Sequence, residues 1–206
     1  MNVLFSDEAT FHNTGCVNRH NFHYYSVENP RIIRQIDRQQ RWSVNVWGGI
    51  VGEHMVGPHF FNGHLNGQMY LEFLANDLPR LLQNLPLNIQ ARNMWLQQDG
   101  APAHFLQQVR DFLNNEYENR WIGRGGPVRW PARSPDLTKL DFFLWGYVKD
   151  LVYREPPTTE HNMRQRIIDA FATITPAMLR NVERAFQARV GKCLEQDGRH
   201  FEHLLN

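Results

Sequence analysis

The chain is poor in cysteine and contains no long apolar run. Only Cys16 and Cys193 occur among its 206 residues, and two cysteines this far apart provide neither a disulfide framework nor a metal knuckle, which favours a reducing compartment. No apolar run approaches the roughly 20 residues that a membrane-spanning helix needs. The first residues lack the basic flank and apolar stretch of a signal peptide. We therefore expect neither a disulfide-rich secreted domain nor a membrane protein.

An excess of charge of one sign is also absent. The 22 Lys and Arg residues nearly balance the 21 Asp and Glu residues, for a net charge of +1. A stand-alone nucleic-acid binder is usually strongly basic, so this balance argues against tight autonomous binding to DNA or RNA. Hydrophobic residues make up 42% and charged residues 21% of the chain, which is typical of a folded globular protein and excludes wholesale disorder.

The hydrophobic pattern predicts strands first and helices later. Alternating or short apolar runs predict strands at 3–6, 42–47, 56–61 and 93–98, with 128–130 as a further short strand. Helical spacing from Tyr70 to Leu78 predicts a helix that Pro79 kinks or ends. A clear apolar stripe follows over 140–151, and Thr158 or Thr159 and then Thr175 are positioned to cap two more helices. This order favours an α/β fold with a mixed sheet and helices packed on it.

Three aspartates stand at the ends of predicted elements. Asp7 ends the first strand, Asp99 follows a later strand, and Asp141 lies in the first turn of the striped helix. Acidic side chains from separate elements can converge on divalent cations, which prefer oxygen ligands. Two such ions about 4 Å apart would stabilise the attacking and leaving oxygens of a phosphoryl displacement.

Simpler explanations stay open at this point. An aspartate at a strand end is more often a turn former than a metal ligand. Asp141 also follows Thr138 at the spacing of a capping box, in which the acid would bond the backbone at the start of the helix. Composition and spacing alone leave metal binding as one interpretation among these.

Three sequence phrases resemble the catalytic domain of mariner-like transposases. They are 6–8 (Ser-Asp-Glu), 98–104 (Gln-Asp-Gly-Ala-Pro-Ala-His) and 130–141, which ends in Leu-Asp. The stretches 46–50 and 200–205 resemble the same superfamily, so the likeness covers essentially the whole chain. It implies a ribonuclease-H-like mixed five-stranded sheet flanked by helices, with a catalytic core over 1–153 and C-terminal helices over 154–206. From this resemblance we expect the chain to lack the helix-turn-helix DNA-binding domain that precedes the core in this family.

The resemblance also implies a chemistry. Asp7, Asp99 and Asp141 match the family's three acids, which hold two Mg²⁺ or Mn²⁺ ions, whereas Asp136 belongs to the turn before the helix. The expected reaction cuts DNA at the end of the transposable element and joins the freed 3′-hydroxyl to target DNA. No organic cofactor is implied, and a homodimer in the nucleus of a eukaryotic host is expected.

Other residues near these phrases are candidates for supporting roles. Glu8 and His104 adjoin the first two acids, and Lys139 occupies a position where the family usually has proline; it would pair with Asp141 or touch a DNA phosphate. Four arginines between the second and third acids are candidates for phosphate contacts, or are solvated loop residues: Arg120, Arg124, Arg129 and Arg133. Two alternatives to a transposase remain, namely an inactive or co-opted relic that binds DNA or a protein, and a ribonuclease acting on RNA–DNA hybrids.

Overall fold

A five-stranded mixed sheet forms the centre of the protein. The structure, a computed structural model, describes residues 2–14, 41–90, 93–131, 134–198 and 201. Arg133, Cys16 and most of the closing phrase 200–205 lie outside these described residues. The strands are β1 (Val3–His12), β2 (Ser43–Val51), β3 (His54–Phe61), β4 (Trp95–Gln97) and β5 (Trp121–Ile122), arranged in the order β3-β2-β1-β4-β5.

The strand directions confirm the expected fold class. β1 is antiparallel to β2, and β2 is antiparallel to β3, whereas β4 runs parallel to both β1 and β5. The prediction that Asp7 ends the first strand was wrong, because β1 continues to His12. The polar run around Asp7 interrupted the apolar pattern that defines a strand in sequence. The two-residue strand β5 was not predicted, and Val128 contributes only an isolated bridge to Ile122.

Helices cover both faces of the sheet. They are α1 (Gly67–Glu72), α2 (Leu78–Leu82), α3 (Leu87–Gln90), α4 (Gln107–Glu116), α5 (Trp145–Val152), α6 (Glu160–Ala172) and α7 (Pro176–Glu195). Wider π-helical turns, Phe73–Asp77 and Leu140–Leu144, lead into α2 and α5. The chain stays helical past Pro79 because the wider turn before it accommodates a residue without an N–H. No described helix is long and apolar enough to cross a membrane.

Two helices begin where their caps were predicted. The side-chain oxygen of Thr159 accepts a 3.0 Å hydrogen bond from the Asn162 N–H at the start of α6. Thr175 caps α7 in the same way through the Met178 N–H at 3.3 Å, with Pro176 at the first helical position. These short-range interactions depend on neighbouring residues only, which is why they were readable from sequence.

The alternation of β1 separates two hydrophobic clusters. Phe5, Ala9 and Phe11 pack in one cluster with side chains from α5, α6 and α7. Leu4 packs on the opposite face with residues from α1, α2 and α4. Because successive strand residues point to opposite faces, Asp7 lies on the α5 side and Glu8 on the α1 side. Helices α6 and α7, in the part expected over 154–206, share the first cluster with β1.

Candidate active site

Asp7 lies in the middle of β1, opposite Gly48 of β2. A Cβ on Gly48 would stand 3.1 Å from Leu144 Cδ2, so glycine lets the segment after Asp141 approach the sheet closely. Trp145 then donates a 2.7 Å hydrogen bond from Nε1 to Asp7 Oδ2. Burial raises the pKa of Asp7 to about 8, and the negative charges of Asp141 and Glu8 act in the same direction, while the Trp145 hydrogen bond opposes them.

Asp99 follows β4 by two residues. The β1–β4 pairing ends at Phe5 and Gln97, two residues before Asp7 on β1 and two before Asp99. The Ala101 N–H donates to Asp99 Oδ1 at 2.9 Å, and the His104 Nδ1 lies 2.7 Å from the same oxygen. Burial alone would raise the pKa of Asp99. The hydrogen bond from His104, its charge, and the hydrogen bond from the Ala101 N–H together lower this pKa below its ordinary value.

Asp141 stands in the first turn of the π-helical segment Leu140–Leu144 and is exposed. The capping-box alternative requires a free N–H on Thr138, yet that N–H donates to the Pro135 carbonyl at 3.1 Å. Burial raises the pKa of Asp141, the charge of Asp99 raises it further, and Lys149 partly offsets them. Asp141 is thus electrostatically coupled to both other aspartates.

Asp141 therefore lies within electrostatic reach of both Asp7 and Asp99. Asp99 and Asp141 line a cleft of about 780 Å³. Carboxylate oxygens suit hard divalent cations. Burial first, and then the charge of a neighbouring aspartate, raises the pKa of both Asp7 and Asp141. Among the described residues, no three His, Cys, Asp or Glu side chains stand close enough together to hold a metal ion as arranged. The donor chemistry fits divalent cations, and coordination would require the carboxylates to draw closer.

His104 lies between Asp99, which follows β4, and Glu8 of β1. Its ring is 1% exposed, with Nδ1 at 2.7 Å from Asp99 Oδ1 and Nε2 at 3.1 Å from Glu8 Oε2. The Tyr70 ring lies 4.2 Å from the imidazole, centroid to centroid. Burial by itself lowers the pKa of His104, but the two carboxylates, Glu8 first, raise it to about 10. The buried imidazole therefore lies between two carboxylates that favour its charged form.

Lys139 points away from the three aspartates. The side chain is 4% exposed, and its Nζ forms an ion pair with Glu183 of α7. The ammonium lies 4.4 Å from the centre of the Phe5 ring and 5.0 Å from that of Phe186. The expected contacts with Asp141 or a phosphate are replaced by a buried contact between β1 and α7. The sequence could not reveal this direction, because Glu183 is 44 residues away.

The arginines divide into two groups. Arg124 and Arg129 line the cleft together with Asp99 and Asp141. Arg120 instead donates to the Met94 and Glu116 carbonyls, at 3.0 and 3.3 Å, beyond the other end of β4. Sequence reasoning did not identify Trp145 as a neighbour of Asp7, because an apolar side chain in a predicted helix gives no sign of a hydrogen bond to a distant strand.

Comparisons with known proteins bear on this arrangement. No family model matches the chain. The Tc3 transposase of Caenorhabditis elegans is 25% identical over 201 residues, which cover 95% of this chain and 56% of that protein. The Mos1 transposase catalytic domain solved with raltegravir and manganese has a TM-score of 0.71 and 18% identity, with 97% of this chain and 84% of that one covered.

The resemblance to the catalytic domain of mariner-like transposases is confirmed. The pre-cleavage Mos1 transpososome gives a TM-score of 0.77 at 19% identity, covering 97% of this chain and 57% of the Mos1 chain. At such identities the structural likeness establishes the mariner-like, ribonuclease-H-like fold. The chain spans little more than half the length of the Tc3 transposase.

Proposed function

We propose that this chain is the catalytic domain of a mariner-like DNA transposase. It would cut DNA at the ends of a transposable element and join the 3′-hydroxyl to target DNA. The observation that carries the proposal is the charge coupling of Asp141 to both Asp7 and Asp99, beside a cleft that Asp99, Asp141, Arg124 and Arg129 line. The likeness to the Tc3 transposase supports it across 95% of the chain.

Asp7, Asp99 and Asp141 would hold two divalent cations, Mg²⁺ or Mn²⁺. Such ions, when bound, supply Lewis-acid stabilisation of the attacking and leaving oxygens of an in-line displacement. The protein contributes the spacing of the carboxylates, which come from a strand, a loop and a helix start. Two of the Mos1 structures similar to this chain contain manganese and magnesium respectively.

Neighbouring side chains would orient the three acids. Trp145 holds one oxygen of Asp7, and His104, backed by Glu8, holds one oxygen of Asp99. Hydrogen-bonded partners of this kind fix the direction of a metal-binding carboxylate. Glu8 and His104 would thus act through Asp99, and Lys139 through the packing of β1 against α7.

DNA is the proposed partner, through the exposed Arg124 and Arg129 in the cleft. Two arginines would neutralise phosphates near the acids, while the near-zero net charge of the chain suits sequence recognition by a separate domain. A homodimer in the nucleus of a eukaryotic host is proposed with it, as the resemblance to mariner-like transposases implies.

A strand-cleavage assay tests the proposal. Labelled duplex DNA is incubated with the protein in Mg²⁺ or Mn²⁺, and Asp99→Asn is compared with the matched control Asp150→Asn, an exposed aspartate on α5. We expect cleavage by wild type and control, with none in Asp99→Asn or in a chelator. Equal cleavage by the Asp99 variant would show that the site is wrongly assigned.

Two further measurements separate the alternatives. Binding of Mn²⁺ to the folded protein should raise its melting temperature, with a stabilisation of about 2.7 kcal/mol at one hundred times Kd. A relic that has lost metal binding would show no such rise. Comparing duplex DNA with an RNA–DNA hybrid tests the ribonuclease alternative, for which only the hybrid would be cut.

A further inference from the structure

Two arginines share a single aromatic ring at the edge of the cleft. The guanidinium of Arg124 lies 4.1 Å from the centre of the Phe105 ring, and that of Arg110 lies 4.5 Å from it. Within the described part of the chain, neither arginine forms an ion pair with an acid, and Arg110 Nε is buried without a hydrogen-bond partner. Two cations held on one ring repel each other, and a bound anion would relieve this repulsion.

The loop that carries Arg124 packs closely against the Phe105 ring. Gly125 has a φ of +84°, and a Cβ there would stand 3.2 Å from Phe105 Cε2 and 3.1 Å from Arg110 Cδ. Glycine is therefore required both by the backbone conformation and by the contact. The Gly123 N–H donates to the Val128 carbonyl at 2.9 Å, which closes the loop. Arg124 is thus presented from a fixed turn.

Arg124 also lies next to the second acid. Its Cδ would be 3.7 Å from a Cβ placed on Gly100, the residue that follows Asp99. Phe105 and Arg124 line the same cleft as Asp99 and Asp141. Cationic and acidic side chains therefore line the same cleft. This arrangement suits a DNA strand whose phosphates run between them.

We propose that Phe105, Arg110 and Arg124 form a phosphate-binding site for the DNA strand, at a phosphate adjacent to the one that is cut. This inference rests on the proposed transposase function and names a contact within it. Arg124 would bind the phosphate through its guanidinium fork, which matches phosphate oxygens in pairs. Arg110 would add charge, and the Phe105 ring would hold both guanidinium groups in place.

The salt dependence of DNA binding tests the site. Binding of a labelled duplex is measured in EDTA, so that binding is separated from cutting, over about 50 to 200 mM NaCl. Arg124→Ala should reduce the slope of log K against log salt by about 0.9, the value for one lost phosphate contact. Arg124→Lys should keep the slope but bind more weakly, since it retains the charge and loses the fork.

Arg80→Ala is the matched control. This arginine has a 74% exposed side chain on α2 and does not line the cleft, so its removal should leave slope and affinity unchanged. An Arg124→Ala protein that behaves like this control, or a wild type that binds no DNA, would overturn the site. If the slope changes as expected but wild type cuts no DNA in Mg²⁺ or Mn²⁺, the phosphate site stands and the catalytic proposal fails.

Discussion

The indole of Trp145 donates a 2.7 Å hydrogen bond to Oδ2 of Asp7, 138 residues away in the sequence. Trp145 begins α5, directly after the π-helical segment that carries Asp141. One bond therefore ties the strand of the first acid to the helix of the third. Because a hydrogen bond to a carboxylate favours its charged form, this bond also opposes the effect of burial on Asp7.

Replacing Trp145 by phenylalanine should disturb Asp7 while keeping most of the packing. Loss of the N–H removes the contact that lowers the pKa of Asp7, so this pKa should rise above about 8. We expect the pH profile of Mn²⁺-dependent cleavage to shift to higher pH, with a loss of about 1 kcal/mol in unfolding free energy. Trp42→Phe, at a half-buried tryptophan, serves as the control. An unchanged pH profile would show that the bond does not influence Asp7.

Asp7→Asn should stabilise the metal-free protein while abolishing activity. The amide oxygen can still accept from Trp145, and the substitution removes a buried negative charge that faces Asp141. We expect an increase in unfolding free energy on the order of 1–2 kcal/mol at pH 8, reduced from the full effect by solvent screening. Thermal melting of wild type and Asp7→Asn in EDTA measures this change in stability.

The difference in unfolding free energy between Asp7→Asn and wild type should depend on pH, because the pKa of Asp7 is raised in the folded protein. The folded pKa of about 8 exceeds the ordinary value of 3.8, so the folded state holds a proton that the unfolded chain releases. Stability of the metal-free wild type should fall as pH rises between these two values, and the variant should lack this fall. A variant that melts below wild type at pH 8 would contradict the prediction.

His104→Gln should weaken the protein most at low pH. The His104 cation contributes stability that is fully present below the ordinary pKa of 6.5 and is lost as pH rises through about 10. Without this cation, Glu8 is left almost buried and unpaired, which should cost about 2 kcal/mol near pH 6. Urea unfolding should show a smaller difference in stability between wild type and His104→Gln at pH 10 than at pH 6. The control His64→Gln, at an exposed histidine, should have little effect at either pH. A pH-independent loss would point to packing alone.

The half-buried ion pair of Lys139 and Glu183 should destabilise the protein more when one partner is removed than when both are replaced. Glu183→Gln leaves the Lys139 ammonium buried without its counter-ion, at an expected cost of about 1–3 kcal/mol after allowance for the exposed side of Glu183. The double variant Lys139→Met with Glu183→Gln should recover most of this loss, because methionine packs against Phe5 and Phe186 without charge. Urea unfolding measures the stability of the single variant and of the double variant. A double variant no more stable than the single one would show that the charge itself is needed.

The candidate acids Asp7, Asp99 and Asp141 and their neighbours Glu8 and His104 could be selected from sequence because they occur in short, specific phrases. Asp99 was expected at the end of a strand, and it follows β4 by two residues. The position of Asp7 was misjudged, since the polar residues beside it masked the continuation of β1 to His12. The two-residue strand β5 carries too few residues to show an alternating pattern, and only its pairing with β4 defines it.

Local chemistry in the sequence determined the capped starts of α6 and α7, the order of strands before helices, and which aspartates were candidates. The tertiary structure alone decided where the long side chains go. Arg120 turns to the backbone of Met94, Lys139 turns to Glu183, and Arg124 stacks on Phe105 beside Asp99. These directions depend on which faces meet across the sheet, and partners far apart in the chain leave no periodic signal.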